Sequence, residues 1–128
     1  MFTFDRFDPG AVLGTESWVF DEAALEEWKV LFPDDAACAP RMPPGMVAVV
    51  AQQCFMRIFT DRPPGNIHAG QLFRLAKLPR LGDTITTELC CLKKELRKEK
   101  RWITVGSTAR SSTGEIFFIG EMTLIWAA

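Results

Sequence analysis

The stretch Pro43-Pro44-Gly45-Met46-Val47-Ala48-Val49-Val50-Ala51-Gln52-Gln53-Cys54-Phe55-Met56-Arg57-Ile58-Phe59 decides the fold. Proline suits the first turn of a helix, where its missing N–H is not needed. The next break is Arg62-Pro63-Pro64-Gly65, so the spacing predicts a helix over Gly45–Phe59. Its segment Met46–Ala51 is apolar on every side, the pattern of a helix buried all round rather than on one stripe. A bilayer span needs about 20 apolar residues. This helix is shorter, so the rest of the protein must wrap it.

Downstream the periodicity changes from helical to alternating. Ile67–Lys77 reads as extended and ends at the turn Leu78-Pro79-Arg80-Leu81-Gly82-Asp83. Thr84–Lys93 alternates, with Ile85, Thr87, Leu89 and Cys91 on one face. Trp102–Arg110 and Glu115–Trp126 are two further strands, joined by Ser111-Ser112-Thr113-Gly114, where glycine supplies a positive φ. Gly120 inside the last strand predicts a bulge or bend. The charged run Lys93–Arg101 lies between two strands and reads as a solvated hairpin tip.

Upstream, Asp21 caps a second helix and Glu22 complements its dipole. Phe20 and Leu25 occupy staple positions, Leu25, Trp28 and Leu31 or Phe32 follow at helical spacing, and Pro33 ends it. Thr15–Phe20 reads as a short strand. Residues 33–44 hold prolines that forbid a regular helix or a central strand, so they read as an irregular loop. Helices first and an antiparallel sheet afterwards predict an α+β fold, with the long sheet curved around the apolar helix.

The chain of 128 residues has the length of one domain, 1–128. Fifteen Lys and Arg balance sixteen Asp and Glu, for a net charge of −1, so nothing in the charge points to nucleic acid or an anionic membrane. Cys38, Cys54, Cys90 and Cys91 lack metal-ligand spacing, and His68 is the only histidine, which argues against a metal site. The cysteines read as buried small hydrophobes in a reducing compartment. With no signal peptide or membrane-spanning run, the expected location is the cytoplasm.

Four segments, in order, resemble the MaoC-like acyl dehydratases and enoyl hydratases, which have the hot-dog fold. They are Pro43-Pro44-Gly45-Met46, Pro64-Gly65-Asn66-Ile67-His68-Ala69-Gly70-Gln71, Pro79-Arg80-Leu81-Gly82-Asp83-Thr84-Ile85-Thr86, and Lys98–Val105 followed by Gly114 and Gly120–Trp126. The resemblance implies a single hot-dog domain acting on thioesters of coenzyme A or acyl carrier protein, with no cofactor. In the family, a Gly-Asp-x-Asn-Pro-hydrophobic-His loop before the central helix supplies the acid and base. The start of that helix polarises the thioester carbonyl.

Here that loop reads Pro33-Asp34-Asp35-Ala36-Ala37-Cys38-Ala39. Asp34 falls at the family's aspartate, and Ala36, Ala37 and Ala39 replace asparagine, proline and histidine. Asp34 and Asp35 are therefore catalytic candidates or ordinary turn residues. His68 is a substitute acid or a structural histidine. Gly45 and Met46 are the candidate carbonyl-binding helix start. Gln52 and Gln53 are structural partners or a polar tunnel wall, and Gln53 is a substrate-binding candidate. Arg41 and Arg62 are solvated, or meet a carrier phosphate, with Arg41 the stronger candidate. The implied function is a hydratase or dehydratase. The alternatives are a non-catalytic thioester-binding subunit that pairs with a catalytic chain, or a thioesterase. A free sheet edge predicts a homodimer or heterodimer with a continuous sheet.

Overall fold

The structure, a computed structural model, describes residues 1–128. Five strands form one antiparallel sheet in the order β1-β3-β4-β5-β2. They are β1 (Val12–Val19), β2 (Ile67–Leu75), β3 (Thr84–Arg97), β4 (Lys100–Arg110) and β5 (Ile116–Trp126). Two helices, α1 (Glu22–Leu31) and α2 (Val47–Ile58), lie between β1 and β2 in sequence. The α+β expectation holds, and no helix is long and apolar enough to cross a membrane.

The alternation read in β3 is borne out: Ile85, Thr87, Leu89 and Cys91 are all buried against the helix side. Asp21 caps α1 by accepting from the Ala24 N–H at 2.9 Å. Beneath α2 the core forms two clusters. One is rich in aromatic rings and gathers Phe7, Phe55, Phe59 and Trp126 around the C-terminal half of α2. The other packs Phe20, Met42, Met46, Val50, Ile85 and Phe118 under its N-terminal half.

Several expectations need correction. The central helix is not buried all round: Ala48, Gln52, Gln53, Met56 and Arg57 are exposed. Positions 48, 52, 56 and 49, 53, 57 recur every fourth residue, so the polar and small side chains fall on one face. The helix starts as a 3-10 turn at Pro44–Met46 and becomes α at Val47. Loop 33–44 contains a 3-10 turn, Pro33–Cys38, which proline starts rather than forbids. The first strand starts at Val12, and β2 stops at Leu75.

The charged run is the exposed tip of the β3–β4 hairpin, as expected, but the strands extend through most of it. The turn is Lys98-Glu99, both with positive φ, and Lys94 reaches inward to the carbonyls of Asp5 and Phe7. Gly120 makes no bulge, because the β5 register is unbroken there. A Cβ at that position would collide with Ser107 Oγ and lie 2.9 Å from the Phe73 ring, so glycine is required by close approach. Finally, β2 makes no hairpin with β3. It crosses to the far edge and pairs only with β5.

Candidate functional site

The exposed face of α2 is the floor of two hollows. The first, about 420 Å³, lies between α1 and α2 and is lined by Trp18, Ala24, Trp28, Met46, Val49 and Gln53, among others. The second, about 470 Å³, lies between α2 and β2 and is lined by Ala48, Val49, Gln52, Gln53, His68, Gln71 and Phe73. Val49 and Gln53 border both, so the two hollows meet on the helix. Largely apolar walls with a few polar groups suit an acyl chain and its polar head.

The strand register explains why His68 faces this trough. His68 pairs with Leu124, Gln71 with Met122 and Phe73 with Gly120. Leu124 and Met122 are buried under the helix, so their partners on β2 point to the same side. No helix covers this inner face of β2. His68 Nε2 lies 3.0 Å from Gln71 Oε1, a side-chain pair that fixes the ring. A smaller hollow of about 130 Å³ on the other side of His68 includes Gln52, Arg62 and Asn66. The buried Asn66 Nδ2 has no partner there, while its Oδ1 accepts from the Ala127 N–H at 2.7 Å.

The two aspartates sit elsewhere. Asp35 Oδ2 accepts a 2.7 Å hydrogen bond from Trp28 Nε1, and Asp34 is exposed to solvent. The Trp28 ring packs on the start of the central helix: a Cβ at Gly45 would lie 3.1 Å from its Cζ2. The close approach at Gly45 is thus made by the chain's own indole. Met46 donates its N–H to the Pro43 carbonyl at 3.0 Å. The Val47 N–H turns back to the carbonyls of Pro44 and Gly45. Gly45, inside the first turn, has no intrahelical acceptor for its own N–H.

Thus Gly45, Met46 and Asp35 are brought together around Trp28, and Gln53 joins that hollow to the one holding His68. His68 and the aspartates line no common hollow. His68 lies beside Gln52, about 10 Å along the helix axis from Gly45 at 1.5 Å per residue. Arg41 lies apart from both, in a hollow with Arg80. The roles of Trp28, Gln71 and Asn66 were not read from the sequence. Trp28 looked like core, and the other two depend on where β2 pairs.

Among the cysteines, burial and the Glu16 carboxylate push the Cys54 thiol up to about 11. Its Sγ lies 3.6 Å from the Thr87 carbonyl, so it is a packed side chain and not a nucleophile.

No family model matches the chain, and no curated protein matches it in sequence. Its fold, however, is shared with solved structures across its whole length. The (R)-hydratase of A. caviae involved in PHA biosynthesis matches at TM-score 0.76 and 18% identity, covering 95% of this chain and 98% of that one. A MaoC-like dehydratase from Rhodospirillum rubrum matches at TM-score 0.81 and 14% identity, covering 100% and 99%. The (3R)-hydroxyacyl-ACP dehydratase complex from Mycobacterium tuberculosis matches at TM-score 0.70 and 15% identity, covering 86% and 90%. The five-stranded sheet curved over α2 is therefore the hot-dog fold, as found in (R)-hydratases and MaoC-like dehydratases.

Proposed function

We propose that this chain is a cytoplasmic hydratase- or dehydratase-type hot-dog protein that binds acyl thioesters of coenzyme A or acyl carrier protein. The observation that carries the reading is the pair of hollows meeting at Val49 and Gln53. The thioester carbonyl would sit at the Gly45 amide, and the acyl chain would run over Val49 toward His68. In hydration, a base takes a proton from water as its oxygen bonds to C3 of the enoyl group. Negative charge gathers on the thioester oxygen, and an acid returns the proton to C2. Asp34, Asp35 and His68 are the candidate acid–base groups.

The free outer edge of β2 supports a dimer. Ile67, Leu72 and Leu75 are 55%, 48% and 45% exposed on it, and the inner face beside His68 is open. A second hot-dog chain pairing there would extend the sheet and roof the trough. A monomeric mass by light scattering would remove this part of the reading.

A second reading is favoured by the Trp28–Asp35 bond and by the distance from His68 to Gly45. In it, the chain binds the thioester without turning it over, and a partner chain supplies the acid–base pair. Titration calorimetry with an enoyl-CoA series, combined with the loss of conjugated thioester absorbance, separates the two. Turnover by the chain alone supports the first, and binding without turnover supports the second. Release of free thiol would reassign it as a thioesterase. Absence of binding at every chain length refutes all three.

A further inference from the structure

Beyond His68 the trough over α2 does not end in apolar side chains alone. Its hollow of about 470 Å³ meets the one of about 130 Å³ at Gln52 and His68. The lining of this last hollow includes the buried Met122 and Leu124, but also Gln52, Arg62, Asn66 and His68. The Asn66 amide is oriented by a backbone contact: its Oδ1 accepts the Ala127 N–H at 2.7 Å, so the buried Nδ2 is a donor without an acceptor. Arg62 is half-buried and donates one N–H to the Phe59 carbonyl at 2.8 Å. No carboxylate lies within ion-pair distance of its guanidinium. An unpaired buried donor is unfavourable, and so is a partly buried cation without a counter-charge. Both are relieved by one kind of guest, an anionic oxygen. A water takes about 30 Å³ of liquid, so the hollow has room for a carboxylate group or a few waters.

The hollow lies at the end of the trough away from Gly45. Gln52, which borders it, stands about 10 Å along the helix axis from Gly45. An acyl chain whose thioester sits at Gly45 and which runs over Val49 brings its far end here. A methyl end leaves the Asn66 donor unpaired and the Arg62 charge unbalanced, whereas a carboxylate satisfies both. We propose that the hollow beside Asn66 and Arg62 binds a carboxylate, and that the acyl group this protein takes is the monothioester of a dicarboxylic acid. This rests on the acyl-thioester reading above and names the substrate class within it. The diacid must be long enough to pass Gln52, so a medium-length chain fits and the shortest ones do not reach. The same carboxylate chemistry belongs to a free diacid.

The test is titration calorimetry of the full chain with suberyl-CoA, octanoyl-CoA and free suberate. The two thioesters share one chain length, and neither carries the double bond that water would attack, so binding alone is read. Each titration is repeated on Asn66→Asp, Arg62→Gln and Arg62→Lys. Asn66→Asp keeps the acceptor for the Ala127 N–H and replaces the free donor by a negative charge. The parent is expected to bind suberyl-CoA about tenfold or more tighter than octanoyl-CoA. Asn66→Asp should abolish that preference, Arg62→Gln should reduce it, and Arg62→Lys should keep most of it. The preference is a ratio within one protein, so a general loss of stability that weakens both thioesters alike does not imitate the effect. If both thioesters bind but the parent shows no preference, the hollow holds only water and the proposal alone is overturned. A preference that survives both Asn66→Asp and Arg62→Gln overturns it as well. Suberate binding that needs Asn66, with neither thioester bound, upholds the carboxylate site and overturns the acyl reading. No binding of any probe overturns both.

Discussion

The two ends of the central helix are built for different purposes. At the C-terminal end, Phe7, Phe55, Phe59 and Trp126 interlock at ring-centroid distances of 4.8–6.3 Å, and Phe2 packs edge-on against Phe7 and Phe59. The Trp126 indole also donates to the Phe2 carbonyl at 2.8 Å, which ties the first residues over the cluster. At the N-terminal end Met46, Val47 and Val50 pack on Phe20, Ile85 and Phe118 below, but above them stands only a half-buried Trp28, and a hollow opens beside it. Beside the aromatic cluster only a hollow of about 130 Å³ remains, whereas the N-terminal end keeps about 420 Å³ beside Trp28 and Met46. The sheet side of the helix is filled at both ends, and the larger hollows open on its other side from Met46 to Gln53.

That contrast can be broken first by Trp126→Ala. A 1% exposed tryptophan in an aromatic cluster should cost about 3–5 kcal/mol, read from denaturant unfolding. Trp28→Ala at the other end should cost about 1–2 kcal/mol, because the ring is half-exposed. Equal losses would show that the two ends are not specialised. Next in size is Gly120→Ala, expected to cost about 1–3 kcal/mol because the added methyl has no space between Ser107 and Phe73.

Val49→Trp sharpens the contrast from the binding side. It should fill the junction of the two hollows and weaken acyl-CoA binding by about tenfold or more, with little change in melting temperature because the half-buried Val49 opens onto both hollows, which leave room for the larger ring. The smallest effect is on pH dependence. The unfolded Cys54 thiol ionises near 9.0, and the folded one only near 11. Between those values the native state holds a proton that the unfolded state has lost. Stability is therefore full below pH 9 and falls as pH rises toward 11. Cys54→Ala should flatten that slope in alkaline melts, whatever its effect on the baseline.

Local pattern made much of this fold legible. The alternation of Ile85, Thr87, Leu89 and Cys91 marks the buried face of β3, and Asp21 marks the start of α1, because both depend on near neighbours in the chain. The site was legible only residue by residue. His68, Gln53, Gly45 and Asp35 stand out in the sequence, but which of them meet depends on β2 crossing to the far edge. Nothing near residue 68 records its pairing with Leu124. The exposed face of α2 was missed for a related reason. A run of Val and Ala reads as buried all round until the sheet's curvature decides how much of the helix it can cover. An isolated β-bridge between Arg41 and Arg80 joins two loops that no local signal connects.

The placement of β2 has a consequence for the order of assembly. β3, β4 and β5 are consecutive, so each pair closes a short turn, whereas β2 must wait for β5 and closes a much longer loop. It is bonded along one side only, so its amides should exchange with solvent sooner than those of β4 at the sheet centre. β1, the other edge strand, closes a still longer loop onto β3, so both edges dock late, and an occupant or a second chain that held the His68 wall shut would slow the exchange of β2 alone.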